Sequence, residues 1–342
     1  MAGANARGSF VWHELMTRDP NAAAAFYEKV VGWTRQGLPQ DASYQMFLAQ
    51  GVAVAGLMRL PEAARAMGAS PSWLLYIGTP DVDQTVRLAA QSGGTVLRAP
   101  SDIPNVGRFA VIGDPQGAVF AAFTPADPSM AVESPGLGDF SWHELVTTDS
   151  RAGLAFYRKL FGWEKTGAME MGRGMGSYLL YGWKGRTLGG MYDKPRGTSG
   201  PPCWLAYAKV ADAKRAARAA KQAGGRIVNG PMEVPGGDWV AVGLDPHGAM
   251  FAVHSAPAAA GAPEKDAKAD AAMPKAAKKP VKAKVARKPA KAKAAKKPAK
   301  AKAAKRPART KVAKRPAKAR KPARKPARVK AARKGAARKG RR

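Results

Sequence analysis

The chain has 342 residues, one cysteine and a formal net charge of +34. Cys203 alone cannot form an intrachain disulfide, which suits a reducing compartment. Residues 1–10 lack the apolar run of a secretory signal, and no stretch approaches the roughly 18 apolar residues of a membrane span, so a soluble cytoplasmic protein is expected.

The first elements read clearly. Phe10–Thr17 is apolar and aromatic, as a strand would be. Asp19-Pro20 then opens a helix, because Asp caps an N-terminus and Pro suits the first turn. Ala22–Val31 continues it with good helix formers at helical spacing, and Gly32 stops it. Strands follow at Tyr44–Ala49 and Val52–Met58. The series restarts with a strand (Trp73–Gly78), a helix (Asp81–Ser92), a Gly93-Gly94 break, and strands at Thr95–Arg98, Arg108–Ile112 and Ala118–Phe123. The half-chain thus reads as two βαβββ units.

The whole series then recurs. Trp-His-Glu-Leu stands at Trp12–Leu15 and again at Trp142–Leu145, inside a long frame shared by SFVWHELMTRDPNAAAAFYEKVVGWTRQG and DFSWHELVTTDSRAGLAFYRKLFGWEKTG, 130 residues apart. Repetition over such a length means one structural unit built twice. The late segments agree: Trp204–Lys209, Asp212–Ala223, Gly224-Gly225, Trp239–Gly243 and Ala249–His254 fall in the same order. The turn Asp114-Pro-Gln-Gly-Ala matches Asp245-Pro-His-Gly-Ala. The expected architecture is α+β: four βαβββ units in two tandem modules, 9–125 and 139–256, joined by a linker at 126–138.

Residues 257–342 form a different kind of segment. From 261 onward there are 34 Lys+Arg against 3 acids, while 1–260 hold 24 against 21. A nine-residue repeat starts at Ala277 (AKKPVKAKV, ARKPAKAKA, AKKPAKAKA), and no aromatic residue follows Phe251. With nothing bulky and apolar to bury, this tail is expected to be disordered when free. Its cations, among them Lys278, Lys279, Arg287, Lys288, Lys296, Lys297, Lys305, Arg306, Lys314 and Arg315, suit a phosphate track, so DNA or RNA is the expected partner and nucleoid association the expected location. Neutralising phosphates would give an affinity independent of base sequence, and the tail has no aromatics to stack bases. The tail is similar to the Ala/Lys/Pro-rich tails of linker-histone-like bacterial proteins.

The WHEL…AFY…GW frame, the paired βαβββ units and the D-P-x-G-A turn resemble the vicinal oxygen chelate superfamily, which includes glyoxalase I, extradiol dioxygenases and bleomycin-resistance proteins. The tandem arrangement looks like a bacterial glyoxalase-like or hydroxylase-like branch. The resemblance implies that each pair of units encloses a cavity, where family enzymes hold a divalent metal through His and Glu on first and last strands. At the matched positions this chain has Trp12 and Trp142 for the His, and Ala121 and Ala252 for the Glu. His13 and His143 lie one residue along, which in a strand means the opposite face unless a bulge at Trp12–Glu14 intervenes. Neither a family-type metal site nor any other cofactor is therefore expected.

Candidate site residues remain. Glu14 and Glu144 are in phase with Trp12 and Trp142, which places all four on the cavity side. There the carboxylates would serve as a general base or ligand anchor, or as partners that lock the modules. His13 and His143 are acid/base candidates or hydrogen-bonded structural residues. Arg108 offers a bidentate contact to a ligand or pairs with an Asp. His254, on the face of the missing last-strand ligand, is a further ligand candidate. His247 is read as solvent-facing, Cys203 as a core thiol, and Trp33, Trp73, Trp163 and Trp204 as packing. Three functions compete: a small-molecule-binding module tethered to nucleic acid; a glyoxalase-like lyase or hydroxylase-like enzyme acting on a small carbonyl or aromatic compound; and a nucleoid-associated protein with a structural body.

Overall fold

The computed structural model describes residues 6–38, 41–127, 135–172, 176–195, 197–198 and 200–257. The expected disordered tail and most of the linker lie outside them. Module one runs β1 (Phe10–Thr17), α1 (Pro20–Val30), β2 (Thr34–Leu38), β3 (Asp41–Ala49), β4 (Val52–Arg59), α2 (Glu62–Ala66), β5 (Ser72–Gly78), α3 (Val82–Gln91), β6 (Thr95–Ile103), β7 (Gly107–Gly113) and β8 (Val119–Pro125). Module two repeats it with β9 (Phe140–Thr147), α4 (Ser150–Phe161), β10 (Glu164–Glu170), β11 (Ser177–Trp183), β12 (Arg186–Asp193), β13 (Cys203–Lys209), α5 (Ala213–Gln222), β14 (Arg226–Glu233), β15 (Trp239–Leu244) and β16 (Met250–Ser255).

The helix starts are set by side-chain caps. Asp19, Asp81, Asp149 and Asp212 each accept from backbone N–H groups of the first turn, which satisfies donors that a helix leaves orphaned. Each module forms one eight-stranded sheet, ordered β2-β3-β4-β1-β5-β8-β7-β6 and β10-β11-β12-β9-β13-β16-β15-β14. The first strands of the βαβββ units, β1 with β5 and β9 with β13, are central antiparallel neighbours.

Helices α1, α3, α4 and α5 lie between the two sheets, and both main cores are built from both modules. One packs α1 with Leu15, Phe47 and Leu57 against α5 with Phe251 and Val253. The other packs Ile77, Ile112 and Phe120 against Phe156, Tyr157 and Trp163 of the second module. The polar contacts across this interface are reciprocal. Trp33 Nε1 donates to Gly138 O and Trp163 Nε1 to Gly8 O, both at 2.7 Å. Tyr27 Oη donates to Asp245 (3.3 Å) and Tyr157 Oη to Asp114 (3.0 Å). Each D-P-x-G turn thus offers a buried carboxylate to the opposite module. His247, expected in solvent, is half-buried, with Nδ1 2.7 Å from Thr17 Oγ1, because its turn lands on the end of β1.

Candidate functional site

Alternation along β1 sorts the WHEL residues by face. Leu15 joins the core between the sheets, while Trp12 packs with Leu74, Tyr76, Phe109, Ala121 and Phe123 on the opposite, helix-free face. Glu14 lies on that helix-free face, where the hydroxyls of Tyr44 and Tyr76 donate to its two oxygens at 3.1 and 3.2 Å, and Trp12 Nε1 donates to Tyr44 Oη at 3.1 Å. Module two builds the same chain: Trp142 Nε1 to Tyr178 Oη (2.9 Å), Tyr178 Oη to Glu144 (2.8 Å), and Tyr207 Oη to the other carboxylate oxygen (3.1 Å).

Two glycines make room for these rings. A Cβ on Gly56 would meet Tyr44 Oη at 2.0 Å, and one on Gly190 would meet the Tyr178 ring at 1.9 Å. Both glycines are the parallel partners of the glutamates, in Glu14↔Gly56 and Glu144↔Gly190. Any side chain there would push the tyrosine off its carboxylate.

Burial raises the pKa of both carboxyls. The tyrosine hydrogen bonds oppose the rise, and at Glu14 so does nearby Arg98, which stacks at 4.6 Å on Phe109. A carboxyl accepting two hydroxyls in an aromatic wall can hold or receive a proton and can accept a hydrogen bond from a ligand. Tyr44, Tyr76, Tyr178, Tyr207, Gly56, Gly190 and Arg98 did not emerge as site residues from the sequence. The signal that would have found the first six is their recurrence at matched points of the two modules.

The two histidines take the other face. The register shift in β1 falls between Phe10 and Trp12, before the histidine, so it leaves Trp12 and His13 on opposite sides and turns Phe10 toward the core. Phe10 stacks on His143 at 3.7 Å, Phe140 stacks on His13 at 3.8 Å, and the two Nε2 atoms lie 2.8 Å apart. Burial lowers both pKa values, with the mutual repulsion helping at His13, and His143 falls to about 3. The pair is a neutral seam between the modules and is not brought to the glutamates.

Arg108 donates to Asp83 and to Asp102 at 2.7 and 2.8 Å, so its guanidinium is committed to two carboxylates. His254 lies between Ser141 and Asp238. Cys203, expected in the core, is half-buried; burial raises its thiol pKa, and so does the neighbouring charge of Glu144.

A family-type metal does not fit this donor set. Trp12 and Ala121 hold the matched positions in module one, and Trp142 and Ala252 in module two. Among the described residues no group of three or more His, Cys, Asp or Glu comes together. A metal site needs several such ligands to converge.

The model of the Glyoxalase/Bleomycin resistance protein/Dioxygenase superfamily matches residues 9–121 and again 140–253. The chain belongs to this superfamily. Relatives cover most of the two modules. The Mycobacterium tuberculosis protein named "Putative glyoxylase CFP32" is 32% identical over 250 residues, 72% of this chain and 94% of that protein. The anthracycline biosynthesis protein DnrV of Streptomyces peucetius is 30% identical over 274 residues, 75% of this chain and 98% of its own. Among solved structures, a mutant of homoprotocatechuate 2,3-dioxygenase from Brevibacterium fuscum shares the fold at a TM-score of 0.52, with 16% identity, covering 77% of this chain and 75% of that one. No helix among the described residues is long and apolar enough to cross a membrane.

Proposed function

We propose that this superfamily member binds a small planar organic ligand on its Trp–Tyr–Glu–Tyr faces, without a family-type metal, and that its basic tail attaches it to nucleic acid. The carrying observation is the replacement, in both modules, of the expected metal-ligand positions by an aromatic wall around one carboxylate that accepts two tyrosine hydroxyls. Such a surface suits an aromatic compound with phenolic or amine donors: the rings supply apolar area and the glutamate fixes orientation. Two relatives named as anthracycline biosynthesis proteins support a polycyclic, hydroxylated aromatic class.

Calorimetric titration with hydroxylated polycyclic aromatics tests the reading. Binding is expected, weakened about tenfold or more in Glu14→Gln and Glu144→Gln as an acceptor is lost. Silence across aldehydes, quinones and aromatic acids would instead favour the nucleoid protein with a structural body. For the tail, DNA affinity of the full chain should fall steeply with salt and be lost in a chain ending at residue 260. Equal affinity in both would remove the nucleic-acid reading.

The raised carboxyl pKa values favour one second reading, a glyoxalase-like lyase or hydroxylase-like enzyme in which Glu14 or Glu144 moves a proton of a small carbonyl or aromatic substrate. His13 and His143, packed between the sheets, would then act on structure and not on the substrate. Turnover that disappears in the Glu→Gln variants while binding persists would select it.

A further inference from the structure

The helix-free face of module two carries a second polar group. Strand β9 pairs Trp142 with Tyr207 and Phe140 with Ala208, so Ser141 is the extra residue of a bulge. Bulges re-aim side chains. Here the result brings Ser141 Oγ to 2.9 Å from His254 Nδ1, and His254 Nε2 is 2.9 Å from Asp238 Oδ2. The remaining polar contact of the hydroxyl, to Tyr207 O, is longer at 3.4 Å. With its Nε2–H given to Asp238, a neutral imidazole presents the Nδ1 lone pair to the serine hydroxyl. Nucleophile, base and orienting carboxylate are thus in the roles that activate a serine, with the two ring nitrogens exchanged relative to the usual triad.

Module one has none of it. By strand register, Val11 stands for Ser141, Phe123 for His254 and Gly107 for Asp238. Three polar residues therefore occur together in one copy where the other has none, which a general need of the fold does not explain. The group is also reachable: the side chains of His254 and Asp238 are 19% and 40% exposed. Trp142 and Val240 beside it, on the Leu205–Tyr207–Val242 cluster, provide an apolar wall.

We infer that Ser141, His254 and Asp238 form a nucleophilic site in module two that accepts the acyl group of small activated carboxylic esters with apolar acyl or aryl parts. Ser141 Oγ adds to the ester carbonyl carbon as its proton passes to His254 Nδ1. The bond to the leaving oxygen breaks, and His254 returns that proton to the departing alcohol or phenol. A water molecule then adds to the acyl carbon, gives a proton to His254, and Ser141 Oγ leaves with it. The sum is ester plus water to acid plus alcohol, with no change of oxidation state. The chemistry uses neither glutamate, although Trp142 and Tyr207 also belong to the Glu144 cradle.

The test treats the full chain with diisopropyl fluorophosphate and, separately, with 4-nitrophenyl acetate. Peptide mass spectrometry should find the phosphoryl adduct on Ser141, and nitrophenolate should appear in a burst. Ser141→Ala should abolish both. His254→Gln should slow labelling about 100-fold or more, the usual contribution of a positioned base, with Asp238→Asn also slower and thermal unfolding of each variant close to the parent. Absence of an adduct on Ser141 in the folded parent protein, or an unchanged labelling rate in His254→Gln, would overturn the assignment.

Discussion

The two modules come from one sequence frame, and they differ unevenly. Their interface is nearly a mirror: Trp33 and Trp163, Tyr27 and Tyr157, His13 and His143, and the paired Asp turns all make the same contact in reverse. The carboxylate cradles are also the same in both. On the helix-free faces the modules differ where module one places Arg98 on Phe109 and module two places Asn229, Val240 and the Ser141–His254–Asp238 group. Residues held in common are therefore those that both sheets need for packing or for the cradle. The unshared ones are where the two faces can recognise different molecules.

The largest expected effects are at the interface. Trp33→Ala and Trp163→Ala should each cost about 3–5 kcal/mol in chemical denaturation, since both rings are almost fully buried and bonded across the modules. A large cost in one and a negligible cost in the other would end the claim of reciprocity. Next comes pH. His143 has a folded pKa of about 3 against 6.5, so the unfolded chain binds more protons below pH 6.5. Stability should fall as pH drops through that window, by about 1.4 kcal/mol per pH unit for each such histidine, and the slope should flatten in His143→Gln.

Tyr27→Phe and Tyr157→Phe each remove a donor from a buried Asp and should cost about 1–3 kcal/mol, similar in the two modules. The glutamates act with the opposite sign to the histidines. Their folded pKa values are raised, so they contribute stability at acidic pH that is lost as pH rises above about 4.5, the ordinary carboxyl value. Glu14→Gln and Glu144→Gln should each remove part of that decline, measured as denaturation midpoints across pH.

Much of this was legible in the sequence. Asp caps, the period-two run of FVWHELMT and the repeat led to helices, strands and tandem modules that the structure contains. Strands β2 and β10 were not placed, although βαβββ units require them, because their largely exposed residues carry no apolar alternation. The short α2 has no buried residue and gave no signal. In the site, period two was enough to separate Glu14 from His13. It was not enough to find the tyrosines, which arrive from strands 30 and 62 residues away. Nor could it reveal that a bulge would aim Ser141 at His254, since the extra residue exists only in the pairing with β13.

In each module an aromatic-walled carboxylate lies two residues beyond the first-strand position at which a metal ligand of the superfamily would be expected. Elemental analysis of the full chain purified without chelators tests the metal-free reading most directly. Divalent metal well below one equivalent per module, unchanged in Glu14→Ala and Glu144→Ala, is the predicted result. Near-stoichiometric zinc, nickel or iron that disappears in either variant would contradict it.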